Sequence, residues 1–123
     1  MNVVDSSGWV EYFVDGENAG FFEPAILDTR HLVVPAICIY EVFKRMSMSC
    51  GEDEALGAVG IMALGQEVNL DREIAISAAL ISLELKLGMA DSILLASAGA
   101  QNATLWTQDK HFKGLPGVEY IEK

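Results

Sequence analysis

Four acidic residues stand where an α/β chain would place its chemistry. Asp5 follows the short apolar run Asn2-Val3-Val4, and Asp109 follows Thr104-Leu105-Trp106-Thr107. Glu41 lies about a turn and a half into the helical stretch after Leu32-Val33-Val34, and Asp91 opens the apolar segment leading to the Trp106 run. Each has an ordinary reading. Asp5 and Asp91 can cap helices, Asp109 can serve the turn Gln108-Asp109-Lys110, and Glu41 can pair with Lys44 or Arg45 along its helix. Glu41 fits its ordinary role least well, because it interrupts the apolar stretch from Ala36 to Phe43. A carboxylate there loses hydration and needs a counter-charge.

The four acids mean more together. Converging at one sheet edge, they would repel one another and raise each other's pKa. Mg²⁺ or Mn²⁺, which favour oxygen ligands, would relieve that repulsion. Two such ions about 4 Å apart can activate water and stabilise the leaving oxygen in phosphodiester hydrolysis. Ser6 and Thr107 are hydroxyls able to orient a carboxylate or a bound water, or simply to make capping and strand-edge hydrogen bonds.

The elements that must position these residues follow from the pattern. Apolar runs at 2–4, 32–34, 104–107 and 118–121, with a weaker one at 68–70, alternate with longer segments of helical period. That is an α/β domain with a parallel sheet and helices on both faces. Pro35 suits the first turn of a helix from about Ala36 to Met48, and Glu52-Asp53-Glu54 opens the next. Asp71 caps a helix carrying Ile74, Ala78, Ile81 and Leu85, which Gly88 closes. The segment from Ala90 to Gln101 is apolar nearly all round and reads as a buried helix. In open sheets of this kind, sites form beyond the carboxyl ends of the strands.

Length and composition set the outer bounds. With 123 residues, 51% hydrophobic and 21% charged, residues 1–123 read as one globular domain. No apolar run reaches the roughly 18–20 residues of a membrane span. The N-terminus lacks the basic flank and apolar core of a secretory signal, so the cytoplasm is the expected location. A net charge of −10 argues against a passive nucleic-acid binder, though not against an enzyme whose acids carry metal. Cys38 and Cys50 read as reduced, mostly buried thiols. His31 and His111 lack metal-ligand spacing from each other and read as structural or surface residues.

At this point the residues resemble the PIN domain and, within it, VapC-type toxins of toxin–antitoxin pairs. The resemblance covers the whole chain. It rests on Val3-Val4-Asp5-Ser6-Ser7, on Ile39-Tyr40-Glu41-Val42, and most specifically on two C-terminal stretches. These are Ala90-Asp91-Ser92-Ile93-Leu94-Leu95-Ala96 and Leu105-Trp106-Thr107-Gln108-Asp109-Lys110-His111-Phe112. The resemblance implies a three-layer α/β/α sandwich around a parallel sheet of four or five strands. It implies cleavage of RNA by metal-activated water with Mg²⁺ or Mn²⁺. Asp5, Glu41, Asp91 and Asp109 match its metal-binding acids, and Ser6 and Thr107 its accessory hydroxyls. It also implies a cognate antitoxin, whose C-terminal segment lies in a groove, and a homodimer.

Two positions depart from the pattern. Ser7 stands where many members have Asn, an exchange expected to loosen the hydrogen bonding around Asp5. Gln108 stands where a basic residue is common, leaving Arg30, Lys44, Arg45, Lys110 and Lys113 as candidates for RNA contact. The aromatic residues Trp9, Tyr12, Phe13, Phe21 and Phe22 divide between a core role and that of exposed anchors for the antitoxin. Two rival readings stand beside the nuclease. One is an inactive interaction module on the same fold. The other is an aspartate-based phosphoryl-transfer domain, although Ser7 occupies the second acidic position of its D-x-D start. A nicotinamide-binding role fails because no G-x-G-x-x-G follows the first strand.

Overall fold

The computed structural model describes residues 1–123. Five strands, β1 (Asn2–Val4), β2 (Leu32–Pro35), β3 (Gln66–Val68), β4 (Thr104–Thr107) and β5 (Val118–Tyr120), form one sheet in the order β3-β2-β1-β4-β5. Every pairing is parallel. Six helices connect them: α1 (Ser6–Phe13), α2 (Ala19–Leu27), α3 (Ala36–Cys50), α4 (Glu52–Met62), α5 (Arg72–Leu85) and α6 (Met89–Ala100). Connections from β1 to β2 to β3 step outward one way, whereas β3 returns past β1 to β4 and the chain then steps the other way to β5. With right-handed crossovers, opposite steps put helices on opposite faces. The result is the three-layer α/β/α sandwich around a parallel sheet.

Burial explains the strand sequences. Val3, Val4, Val33 and Val34 are wholly buried because both faces of the central strands are covered. The edge strand β3 has exposed Gln66 and Glu67, with only Val68 half-buried. It lies two residues earlier than its apolar residues indicate, since an edge strand open to water needs no apolar run.

Of the aromatic residues of α1 and α2, Trp9 and Phe22 are core, and Tyr12, Phe13 and Phe21 are half-buried against it. Trp9 and Phe22 are wholly buried, Trp9 stacks on Phe13 at 5.6 Å between ring centroids, and Phe21 lies 5.2 Å from Trp106. The anchor role is thereby corrected for Trp9 and Phe22: α1 and α2 close over the sheet and leave neither ring for a partner. Gly8 permits that closure, since a Cβ there would sit 2.5 Å from Cε1 of Phe22.

Two helix boundaries also differ from expectation. Helix α5 ends at Leu85 with Lys86 in the left-handed conformation at φ 58°, and Gly88 instead precedes α6 as its N-cap. Asp71 caps α5 as expected, its Oδ1 accepting from Ile74 N at 2.9 Å. Cys38 is buried, but Cys50 is exposed at the end of α3.

Candidate functional site

The strands β1 and β4 are neighbours whose onward connections leave in opposite directions. Their carboxyl ends form the switch point of the sheet, where an open parallel sheet leaves a crevice. Asp5 stands there, 3% exposed, as the residue after β1. Its backbone starts α1, with its carbonyl accepting from Gly8 N at 2.9 Å and Trp9 N at 3.0 Å, but its side chain caps nothing. The carboxylate is held otherwise: Thr107 Oγ1 donates to Oδ2 at 2.8 Å and Ser7 Oγ donates to the same oxygen at 2.9 Å. Ser6 Oγ approaches Oδ1 at 3.4 Å, a weak contact. Burial nevertheless raises the Asp5 pKa above 3.8, opposed by the Thr107 and Ser7 hydrogen bonds and reinforced by the charge of Asp109.

Thr107 links two acids. While donating to Asp5, its Oγ1 accepts from the backbone N–H of Asp109 at 2.9 Å. The Asp109 side chain caps the 3-10 turn Lys110–Phe112, its Oδ1 accepting from His111 N at 2.9 Å. Asp91, in the first turn of α6, makes no capping bond. Its carboxylate faces Asp109 and His111 instead, and burial together with the Asp109 charge raises its pKa, while His111 works the other way. His111 Nδ1 lies 3.3 Å from Oδ2 of Asp91 and 3.3 Å from Oδ1 of Asp109.

Glu41 makes no ion pair with Lys44 or Arg45, and Lys44 instead lies over the Tyr40 ring at 5.7 Å. Burial raises the Glu41 pKa above 4.5, and the charges of Asp5 and Asp91 raise it further against opposition from Ser6 and Arg45. Glu41 thus senses both Asp5 and Asp91. Four acids from four chain segments share one electrostatic neighbourhood.

The profile of the PIN domain matches residues 3–118. The chain belongs to the PIN domain family. Among solved structures, this PIN domain is similar to a toxin–antitoxin complex from Klebsiella pneumoniae, at 22% identity and a TM-score of 0.83 over 100% of both chains. It is also similar to DNA-bound VapBC from Salmonella typhimurium, at 20% identity and a TM-score of 0.76 over 99% of this chain and 98% of that one. A third relative is Mycobacterium tuberculosis VapC20, described as a sarcin–ricin loop cleaving toxin, at 13% identity and a TM-score of 0.78 over 94% and 95%. Likeness at these identities is likeness of fold. Among curated proteins, none matches the sequence.

The donor set of this PIN domain fits a divalent cation. Ligand atoms of Asp91, Asp109 and His111 lie within 4.8 Å of one another. The proton affinities of Asp5, Glu41 and Asp91 are raised first by burial and further by the charges of neighbouring acids.

The structure adds contacts at three residues that the sequence did not specify. His111 has no metal-ligand spacing from His31, yet the capped turn after Asp109 folds its ring back over two acids; Asp-x-His at a strand end was the available signal. Ser7 does not loosen Asp5, because its short side chain reaches the carboxylate directly. Gln108 is 4% exposed: its Oε1 accepts from Asn18 Nδ2 at 2.9 Å and its Nε2 approaches the Ser7 carbonyl at 3.4 Å. An uncharged amide there braces β4 against the start of α2.

The five candidate cations separate by place. Arg30 precedes β2, at the amino end of the strands and away from the acids. Lys113 pairs with Glu122 at 3.0 Å. Arg45 and Lys110 line a polar groove of about 440 Å³ beside Asp109 and His111, together with Lys123.

Proposed function

We propose that this PIN domain is a metal-dependent endoribonuclease and the toxin of a toxin–antitoxin pair. The observation that carries the reading is the placement of Asp5, Glu41, Asp91 and Asp109 at the switch point, where burial and mutual repulsion leave charge for a cation to neutralise. Asp5, Glu41, Asp91 and Asp109 would hold the ion, Mg²⁺ or Mn²⁺. When bound, the ion supplies activation of water for attack on the phosphodiester and neutralises charge on the leaving oxygen. Thr107 fixes Asp5 and the Asp109 backbone in one register, and Ser7 and Ser6 complete the orientation of Asp5. Arg45, Lys110 and Lys123 in the adjoining groove face an RNA backbone.

Partners follow from the surfaces. Phe13, Met46 and Ile61 floor a groove between α1, α3 and α4 whose rim carries Asp53 and Glu54. An apolar floor with an acidic rim complements a basic amphipathic segment, which is the chemistry assigned here to the antitoxin. On α5, Ile76, Leu80 and Leu83 are 57%, 61% and 78% exposed at helical spacing. That face is assigned to the homodimer, because a contiguous apolar stripe needs cover. No helix is long and apolar enough to cross a membrane, and the cytoplasm is the proposed location. The test is expression in a bacterial host. Wild type is expected to halt growth with loss of RNA integrity, and Asp91→Asn to do neither. Equal effects from both, or none from either with soluble protein in hand, would count against the reading.

A further inference from the structure

His111 brings a ring nitrogen to the acidic site, where it makes one long hydrogen bond to Asp91 Oδ2 and stands equally near Asp109 Oδ1. Its Nδ1 sits 3.3 Å from a carboxylate oxygen of Asp91 and 3.3 Å from one of Asp109. Charge-assisted N–H···O bonds run to about 2.7–2.9 Å, and one N–H aims well at only one of two separated acceptors. Two equal, long approaches are what three donors arranged about a common centre would show. In an octahedral shell with bonds of about 2.1 Å, adjacent ligand atoms lie about 3 Å apart. The three side chains are therefore within a few tenths of an ångström of such spacing on two of their edges.

The ring is placed by backbone. His111 N–H is bound by Asp109 Oδ1 at 2.9 Å, and the next residue, Phe112, is wholly buried and anchors the turn. The side chain itself is 62% exposed, so it faces the groove and not the core.

We propose that His111 is a ligand of the ion held by Asp91 and Asp109, giving a mixed nitrogen and oxygen site. This rests on the reading that those two acids hold a divalent ion. Imidazole binds first-row transition ions better than Mg²⁺, for which oxygen donors suffice. The site therefore discriminates in favour of transition ions, and His111 is the residue that sets the discrimination.

The test is pulsed electron paramagnetic resonance on the full chain titrated with Mn²⁺ alone, alongside His111→Gln and His31→Gln. Wild type and His31→Gln are expected to show nitrogen coupling from a coordinated imidazole. His111→Gln is expected to lose it, with Mn²⁺ affinity falling on the order of tenfold and Mg²⁺ affinity changing by less than about threefold. Mn²⁺ bound by wild type without nitrogen coupling would overturn this inference and leave the acidic ion site standing. Coupling that persists in His111→Gln would overturn the assignment to His111. Absence of Mn²⁺ binding by wild type would overturn both the inference and the ion site beneath it.

Discussion

Thr107→Val tests whether the site is held together by the hydroxyl that joins its acids. Thr107 is wholly buried, and valine replaces its hydroxyl by a methyl of nearly the same size. Two bonds are lost. The one donated to Asp5 Oδ2 at 2.8 Å meets a carboxyl acceptor, a class worth about 1.5–3 kcal/mol when the acceptor is ionised. The one accepted from Asp109 N at 2.9 Å joins neutral groups and is worth about 0.5–1.5 kcal/mol. The added methyl returns less than about 1 kcal/mol, so a net destabilisation of about 2–3 kcal/mol is expected, or roughly 6–15 °C in Tm for a domain of this size. Thr107→Ser keeps both bonds and loses one buried methyl, at about 1 kcal/mol. The pH dependence has a defined sign. Thr107 lowers the Asp5 pKa by favouring the carboxylate, so the penalty in Thr107→Val is full at neutral pH and shrinks as Asp5 is protonated. Urea denaturation of both variants at pH 7.5 and near pH 4 measures this. Thr107→Val as stable as Thr107→Ser at pH 7.5, or a penalty that grows on acidification, would refute the reasoning.

Three further outcomes are expected. Asp5→Asn should abolish RNA cleavage yet raise Tm at pH 7.5 by roughly 2–6 °C, because it removes a buried charge. The folded-state pKa of Asp5 lies above 3.8, so wild-type stability falls as pH rises through that interval, and thermal melts should show the two proteins converging below it. Mn²⁺ or Mg²⁺ should raise the wild-type Tm by binding only the folded state, worth about 2.7 kcal/mol at about a hundred times Kd. Asp91→Asn and Asp109→Asn should lose most of that gain in a thermal-shift series. If α5 forms the proposed dimer, Leu80→Glu should sediment as a monomer by analytical ultracentrifugation at concentrations where wild type sediments as a dimer, with Tm lowered only by the lost association.

What the sequence made legible depended on burial. The central strands announce themselves through Val3, Val4, Val33 and Val34 because both faces are covered, and Asp5 and Asp109 are conspicuous as the polar residues that end such runs. Glu41 is conspicuous for the same reason, as a charge among apolar neighbours. The polar edge strand β3 carries no such contrast. The stripe Ile76-Leu80-Leu83 was hidden behind the buried face of α5, because a helix apolar on two sides does not reveal from periodicity which side meets the sheet. The approach of His111 to Asp91 and Asp109 was only faintly signalled, by Asp-x-His at a strand end, because it depends on a turn three residues long. Trp9 and Phe22 were ambiguous for a related reason, since aromatic residues on short helices suit a core and an interface equally until packing is known.

The most direct test of the central claim is cleavage of a structured RNA pool by the purified chain, with Mn²⁺ and then with EDTA, beside Asp91→Asn. The account predicts cutting with Mn²⁺, none with EDTA and none by Asp91→Asn. Cutting that survives both EDTA and Asp91→Asn, or a wild-type chain that neither cuts nor binds Mn²⁺, would contradict it.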